Sequence, residues 1–229
     1  MKAVGFDLGD TLIYYDNVPL NWRNLYRSAL IKIAQDLNLQ FSNEIIHNAE
    51  IVLSRYNTRI NPREHEVNDI EIFDEILTVW GLSDEYTNQV INTFFGFFQQ
   101  RSMVYPEAIT LLKELKRKDI RIGILTDVPY GMSKSLVLRD IEPIKKYVDV
   151  LLTSVDVGYR KPRPEGFVAL CKQLKVSSDQ MMFVGNEEKD VTGANLTGIK
   201  SILIDKEDQN NEWNQQISIR NLNELLNYL

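Results

Sequence analysis

Two patterns of hydrophobic residues divide the chain. Residues 2–8 are almost continuously apolar, which predicts a short buried strand. Across 14–98, apolar side chains recur at helical spacing, for example at Leu25 and Ala29, and this predicts amphipathic helices. We expect about four helices in this region, with a polar, proline-containing loop at 57–67.

From residue 106 onward, helical and strand patterns alternate. The predicted helices cover 106–118, 131–140, 164–175 and 188–197, and the predicted strands cover 120–126, 149–153, 180–185 and 200–204, with a last amphipathic stretch at 221–229. Strands that alternate with helices favour crossover connections and a parallel sheet. The predicted fold is therefore α/β. It is a three-layer Rossmann-like parallel sheet core, residues 1–13 and 101–229, with an inserted all-helical domain at 14–100.

Composition narrows the class of protein. Of the 229 residues, 44% are hydrophobic and 25% are charged, as is typical of a soluble globular protein. No uncharged apolar run approaches the roughly 18–20 residues of a spanning helix, and no signal-peptide pattern is present. We therefore expect a cytoplasmic protein with no membrane contact. The single cysteine, Cys171, excludes an internal disulfide and a cysteine-based zinc site.

The net charge of −6 comes from the helical insert. Residues 14–98 hold 6 basic and 12 acidic side chains, whereas the rest of the chain holds 20 of each. An acidic balance argues against nucleic acid as a partner, and we expect the acidic groups on solvated helix faces. The composition does not decide between a monomer and a homodimer.

Polar side chains collect where the predicted strands end. Ligands of an open parallel sheet bind beyond the carboxyl ends of its strands, so these residues should meet at one edge. They are Asp7, Gly9, Asp10 and Thr11 after the first strand, Thr126 and Asp127 after the second, Lys161 after the third, and Asn186, Glu187 and Asp190 after the fourth. Folding the core requires no such set, so it indicates a functional site.

The chemistry of this set suits phosphoryl transfer. A carboxylate can attack phosphorus and form an aspartyl-phosphate, and Asp7 is the best candidate because it ends a strand at the ligand-binding edge. A Mg²⁺ ion held by oxygen ligands, together with a lysine, would offset the charge of an anionic substrate. The chain lacks the G-x-S-x-G, H-E-x-x-H, Walker A and G-x-G-x-x-G motifs of competing chemistries.

Four segments resemble, in order, the motifs of the haloacid dehalogenase (HAD) superfamily of phosphatases. They are residues 6–12 (FDLGDTL), 124–127 (ILTD), 161–167 (KPRPEGF) and 184–195 (VGNEEKDVTGAN). Each segment alone is weakly specific, whereas the ordered set is specific. The resemblance implies that the helical insert is a cap, which lies over the active site and selects a small phosphorylated metabolite.

The resemblance also implies a role for each motif residue. Asp7 would be the nucleophile, with Thr126 and Lys161 as further catalytic residues. Thr126, Lys161 and the backbone of Asp127 would bind the phosphoryl group. The implied ligands of Mg²⁺ are Asp7, the backbone carbonyl of Gly9, Asn186 and Asp190.

Two positions depart from the family pattern. Gly9 stands where the family's phosphatases usually carry an Asp that protonates the leaving group, and Asp10 is either a turn residue or a substitute acid. Loss of an acid/base typically costs roughly 10²–10⁴-fold, so leaving groups that need no protonation should suffer least. Asn186 replaces a metal-binding Asp, which should weaken metal affinity unless Glu187 or Asp190 compensates.

Two other functions stay open at this point. The 2-haloacid dehalogenases of the superfamily also lack the second Asp and need no metal, but the position of Gly9 is usually aromatic in them. The acids Glu187 and Asp190 favour a metal site instead. Alternatively, the two departures mark a decayed, non-catalytic site that serves as a binding module and does not bind Mg²⁺.

Several basic residues lie near the motifs. Arg59, Arg63 and His65 belong to the polar loop between predicted cap helices and could meet an anionic group of the substrate. Solvent-facing charges are the simpler expectation for this loop. Arg160 and Arg163 flank the lysine of the third motif, and we expect both on the loop surface.

Overall fold

The computed structural model describes residues 1–229, and a six-stranded sheet forms its centre. Eight strands occur along the chain: β1 (Ala3–Phe6), β2 (Ile13–Tyr15), β3 (Ser102–Val104), β4 (Arg121–Thr126), β5 (Val150–Thr153), β6 (Met181–Gly185), β7 (Lys200–Ile204) and β8 (Ile217–Ile219). Six of them form the sheet in the order β5–β4–β1–β6–β7–β8, and every neighbouring pair is parallel. The predicted α/β class with a parallel sheet is confirmed.

The insert after the first strand folds into four α-helices. They are α1 (Tyr26–Asp36), α2 (Asn43–Tyr56), α3 (Asp69–Trp80) and α4 (Thr87–Gln99). Ser42 and Asn68 begin α2 and α3, because their side chains accept hydrogen bonds from backbone N–H groups of the first turn. Gly81 ends α3 in the left-handed conformation, with φ of 67°. Buried rings such as Phe73 and Phe94, 4.9 Å apart, hold the helices together.

Helices cover both faces of the sheet. The remaining helices are α5 (Pro106–Arg117), α6 (Lys134–Asp140), α7 (Ser154–Val157), α8 (Pro164–Leu174) and α9 (Glu188–Leu196). Val4 and Ile122 point to the face covered by α5, and Leu125 and Phe183 point to the face covered by α8 and α9. This alternation along each strand produces the predicted three layers.

A short antiparallel ribbon joins the cap to the core. β2 pairs with β3 on either side of the helical insert. Strands of three residues are too short to show an alternating pattern, so the sequence reading did not anticipate the ribbon, and it also missed β8 and α7. The proposed boundaries of the cap, residues 14–100, stay a prediction.

The structure also bears on two expectations from composition. None of its helices combines the length and the apolar character needed to cross a bilayer. Cys171 is half-buried beside the apolar cluster around Phe167 and Leu170. Burial raises the pKa of its thiol, so Cys171 is a packing residue rather than an activated nucleophile.

Candidate active site

The ends of three neighbouring strands bring the first two motifs together. Phe6 on β1 is in register with Ile124 on β4 and with Val184 on β6. Asp7 follows β1 directly, and its backbone N–H donates to the Val184 carbonyl at 2.8 Å. Thr126 is the last residue of β4. The carboxylate and the hydroxyl therefore stand at the same edge of the sheet, where both residues are buried.

Lys161 joins the first motif to the fourth. Its Nζ lies 2.5 Å from Asp7 Oδ1, 2.6 Å from Asp190 Oδ1 and 3.3 Å from the Leu125 carbonyl. Burial alone would lower the pKa of Lys161, but Asp190 and Asp7 outweigh it and raise the pKa above its ordinary value. Burial raises the pKa of Asp7 to about 7, against the opposing charge of Lys161. One buried cation thus serves two buried carboxylates.

The buried Asp190 side chain holds the loop of the fourth motif in place. Its Oδ2 accepts hydrogen bonds from the backbone N–H groups of Asn186 at 3.1 Å and Glu187 at 3.0 Å. A Cβ at Gly185 would collide with the Asp190 side chain, so only glycine permits this close approach. Both carboxylate oxygens are engaged, with Lys161 on the other one. The role of Asp190 as a metal ligand stays a prediction, and its contacts show a positioning role.

The oxygen atoms near Asp7 suit a hard divalent cation. The second carboxylate oxygen of Asp7 and the carbonyl of Gly9 make no hydrogen bond within the protein. Asn186 Oδ1 accepts only the Thr11 hydroxyl, at 3.0 Å. No three His, Cys, Asp or Glu side chains are arranged to hold a metal. The oxygen donors near Asp7 are therefore of the type that Mg²⁺ binds, with one charged carboxylate beside a neutral carbonyl and a neutral amide oxygen.

Thr126 ends β4 and Asp127 follows it, and the two residues serve different purposes. Thr126 lines a cavity of about 110 Å³ together with Asp7, and its hydroxyl makes no hydrogen bond within the protein. Asp127 Oδ1 accepts the backbone N–H of Lys161 at 3.0 Å, and its Oδ2 lies 3.2 Å from Lys189 Nζ. Burial alone would raise the pKa of Asp127, but Lys189 and Lys161 lower it. The Asp127 side chain thus positions the lysine loop.

The two acids left open by the sequence occupy the same cavity. Asp10 adopts a left-handed conformation, with φ of 54°, and its carboxylate has no hydrogen-bond partner. Glu187 pairs with Arg59 of the cap and lies 3.2 Å from Lys189. Burial alone would raise the pKa of Glu187, but Lys189 and Arg59 lower it to about 2. Asp10 is therefore the unpaired acid of the site, and Glu187 is a paired one.

The cap docks onto the core through a buried ion pair. Arg63 does not line the cavity, because its guanidinium donates to the Tyr56 carbonyl at 2.7 Å and to Glu66 at 2.8 Å. The Glu66 side chain is 1% exposed, pairs with Arg160 and accepts the Ser154 hydroxyl at 2.6 Å. The expectation that Arg160 lies on the surface is wrong. The cap covers it, and it is 6% exposed.

Backbone hydrogen bonds extend this docking contact toward Lys161. The cap segment 64–66 pairs antiparallel with the core segment 158–160, with two N–H···O distances of 3.0 and 2.8 Å. The rings of His65 and Tyr159 pack 4.9 Å apart. Lys161 follows this segment directly, so the docked cap braces the loop that presents the lysine.

Sequence reasoning missed two further lysines at the site, Lys189, which lies beside Asp127 and Glu187, and Lys206. Lys206 Nζ donates to the carbonyls of Asp10 at 3.0 Å and Thr11 at 3.3 Å, and it faces the Tyr105 ring. Burial lowers the pKa of Lys206 to about 8. Lys206 comes just after β7, so the rule that polar residues collect at strand ends would have found it if applied to that strand.

A buried strand-end aspartate beside a lysine, on a parallel sheet under a helical cap, is an arrangement suited to an α/β hydrolase with a carboxylate nucleophile. The model of the haloacid dehalogenase-like hydrolase family matches residues 1–198. The chain belongs to this family. The four ordered motifs and the parallel sheet agree with the match.

Similar proteins include phosphatases and a dehalogenase. A phosphoserine phosphatase from Thermus thermophilus is 32% identical over 138 residues, which are 59% of this chain and 53% of that relative. The chain thus spans about half the length of this curated relative. A HAD phosphatase from Thermococcus onnurineus has a TM-score of 0.67 at 22% identity, covering 100% of this chain and 97% of that one. A 2-haloacid dehalogenase from Pseudomonas syringae has a TM-score of 0.67 at 21% identity, covering 99% and 97%. These structures share the fold.

Proposed function

We propose that this protein is a Mg²⁺-dependent phosphoric monoester hydrolase of small phosphorylated metabolites. The observation that carries the proposal is the placement of Asp7, which is buried at a strand end, 2.5 Å from Lys161, and open to the cavity that holds the free Thr126 hydroxyl. The phosphatases among its relatives support the same class of reaction.

The residues present account for both halves of the reaction. A carboxylate oxygen of Asp7 bonds to phosphorus as the bond from phosphorus to the leaving-group oxygen breaks. Water then attacks the aspartyl-phosphate, releases phosphate and restores Asp7. Lys161 offsets the negative charge of the phosphoryl oxygens, and the Thr126 hydroxyl donates to one of them.

The metal ion would be held beside Asp7, at the same edge of the sheet. Asp7, the Gly9 carbonyl and Asn186 would provide its protein ligands, and Asp190 would keep the Asn186 loop in place through its backbone hydrogen bonds. When bound, the ion supplies positive charge to the transferring phosphoryl group. Because only one ligand is charged, we expect Mg²⁺ to bind weakly.

The departing oxygen receives little help with protonation. Gly9 offers no acid, and besides Asp7 the cavity holds one carboxylate without a hydrogen-bond partner, that of Asp10. Phenols leave without protonation more readily than alkyl alcohols do, so aryl phosphates should be the fastest substrates.

The test is release of p-nitrophenol from p-nitrophenyl phosphate in the presence of Mg²⁺. Asp7→Asn should lower the rate by at least about 10³-fold, since the nucleophile is lost. Asp179→Asn, an exposed substitution with the same change of charge, should leave it unchanged. Equal rates for the protein and Asp7→Asn would mean that the site is not catalytic, as a decayed binding module predicts.

One observation favours a second candidate, 2-haloacid dehalogenation. Lys161 engages Asp7 directly, both oxygens of Asp190 are occupied, and no acid stands at Gly9, so the site also suits attack on carbon without a metal. Asp7 would then displace halide from carbon, and water would hydrolyse the ester. Chloride release from 2-chloropropionate in the presence of a chelator, together with no phosphate release from aryl phosphates, would establish this activity instead.

A further inference from the structure

A second cavity adjoins the nucleophile on the side of the cap. It measures about 150 Å³ and lies between the start of the cap, the loop after α2 and the core. It shares Asp10, Tyr15, Arg59 and Lys189 with the smaller cavity that contains Asp7. A phosphoryl group on Asp7 would therefore direct its leaving group into this second cavity.

This leaving-group cavity is lined by 16 residues, and four of them are aromatic: Tyr15, Trp22, Tyr56 and Tyr130. The Tyr15 hydroxyl donates to Asp140 at 2.6 Å, and the Tyr130 hydroxyl is shared with Tyr26, so both tyrosines commit their polar atoms elsewhere. Trp22 is held by stacking on Phe98, with ring centroids 3.8 Å apart. What these residues offer a ligand is ring surface, which favours apolar and aromatic groups.

Each cation that lines the cavity already has an anionic partner. Arg59 pairs with Glu187, and Lys189 bridges Glu187 and Asp127 at 3.2 Å to each. Arg160 is held by Glu66 of the cap.

The charged side chain without such a partner is an acid. Asp10 lines the cavity, and its carboxylate makes no hydrogen bond. A carboxylate on the leaving group would meet this acid and find no free cation, so the cavity disfavours a second anionic group.

We infer that the site selects phosphate monoesters whose leaving group is a small, uncharged, ring-sized alcohol, and that it rejects leaving groups with a carboxylate. The inference rests on the proposed phosphatase function and deepens it. A volume of about 150 Å³ is enough for a group the size of benzene, and this cavity has that volume. The phosphoserine in the name of the Thermus relative carries a carboxylate, so the two proteins should differ in substrate.

The test compares phenyl phosphate with 3-carboxyphenyl phosphate in the presence of Mg²⁺. The two phenols are similar in leaving ability, and they differ by the carboxylate. We expect kcat/KM to favour phenyl phosphate by at least about tenfold. An equal or higher kcat/KM for the carboxylated substrate would overturn the inference while leaving the phosphatase function intact.

The Glu187→Gln substitution should weaken the preference for phenyl phosphate. It releases Arg59 and Lys189 from their shared carboxylate, so the preference for phenyl phosphate should shrink by about tenfold. Glu188→Gln is the matched control, because Glu188 is exposed and lines neither of these two cavities. Unchanged preference in Glu187→Gln would mean that these ion pairs do not set the selectivity.

Binding separates this inference from the proposed function. Calorimetry would compare benzylphosphonate with 3-carboxybenzylphosphonate, neither of which can be hydrolysed, in the presence of Mg²⁺. We expect the uncharged phosphonate to bind at least about tenfold more tightly. This preference would support the inference even if no phosphate ester were turned over, and its absence would refute the inference even in an active phosphatase.

Discussion

The two sides of Asp7 hold their charges differently. On the phosphoryl side, Lys161 and Asp190 are 2% and 1% exposed, and both are locked by further hydrogen bonds. On the leaving-group side, Arg59 and Glu187 are 41% and 27% exposed at the rim. A buried pair loses much when one partner is removed, whereas a rim pair is screened by water. In the proposed function, the phosphoryl group, which all substrates share, therefore meets buried charges. The leaving group, which varies between substrates, meets charges at the solvent-exposed rim.

The largest effect should follow from removing the buried cation. Lys161→Met leaves Asp7 and Asp190 without their shared partner, so we expect phosphate release to fall by roughly 10³-fold. The free energy of unfolding should fall by about 3–5 kcal/mol. Steady-state kinetics and urea denaturation measure the two effects. Lys172→Met, exposed on α8, is the control, and equal behaviour of the two variants would contradict the picture of a shared buried cation.

Next in size is the buried pair between cap and core. Glu66→Ala leaves Arg160 buried and unpaired, which should lower the free energy of unfolding by about 3–5 kcal/mol. Glu64→Ala, in the same loop but with a 66% exposed side chain, should change it by less than about 0.5 kcal/mol. Urea denaturation of both variants makes the comparison. A small change in Glu66→Ala would show that the cap is not held by this pair.

Restoring an acid beside the nucleophile should have a smaller but favourable effect. A Cβ at Gly9 would meet no atom within 4 Å, and its φ lies outside the left-handed region, so an aspartate fits there. Gly9→Asp should speed the hydrolysis of alkyl phosphates by roughly 10²-fold and that of p-nitrophenyl phosphate much less. Gly9→Asn, which cannot donate a proton in the same way, is the matched control. Equal gains for both classes of ester would argue against leaving-group protonation.

The smallest effect concerns the rim pair and pH. The folded-state pKa of Glu187 is near 2, below its ordinary value of 4.5. Its ion pairs therefore stabilise the fold fully above about pH 4.5 and are lost as the pH falls through about 2. The protein and Glu187→Gln should differ in unfolding free energy by about 1 kcal/mol at neutral pH and converge toward pH 2. A constant difference over that range, measured by urea denaturation, would exclude this titration.

Local sequence patterns predicted most of the fold. The buried run at 2–8 and the strand at 200–204 were predictable because apolar continuity and turn residues are visible within a few positions. The bounds of α3 within the predicted helical insert are also visible locally, since Asn68 and Gly81 mark its ends. The ribbon of β2 and β3 was not predictable, because its two strands gain their hydrogen bonds from residues about 90 positions apart.

The sequence predicted which residues belong to the candidate site, but not which of them are in contact. The rule that ligands bind at the carboxyl ends of parallel strands gathered Asp7, Thr126 and Lys161. It could not show that Arg59, rather than Arg63, reaches the cavity, because that depends on how the loop after α2 turns. Nor could it show that Arg160 is buried, since only the docked cap covers it.

By itself, the sequence determined the α/β class, the order of the motifs and the candidate for a reactive aspartate, because these depend on local periodicity and on residue chemistry. Only the tertiary structure decided which charges are paired, since pairing joins groups more than 100 residues apart, such as Lys161 with Asp7 and Arg59 with Glu187. A cation that already has an anionic partner attracts a further anion less strongly, so the expected choice of leaving group depends on three-dimensional contacts that no local pattern records.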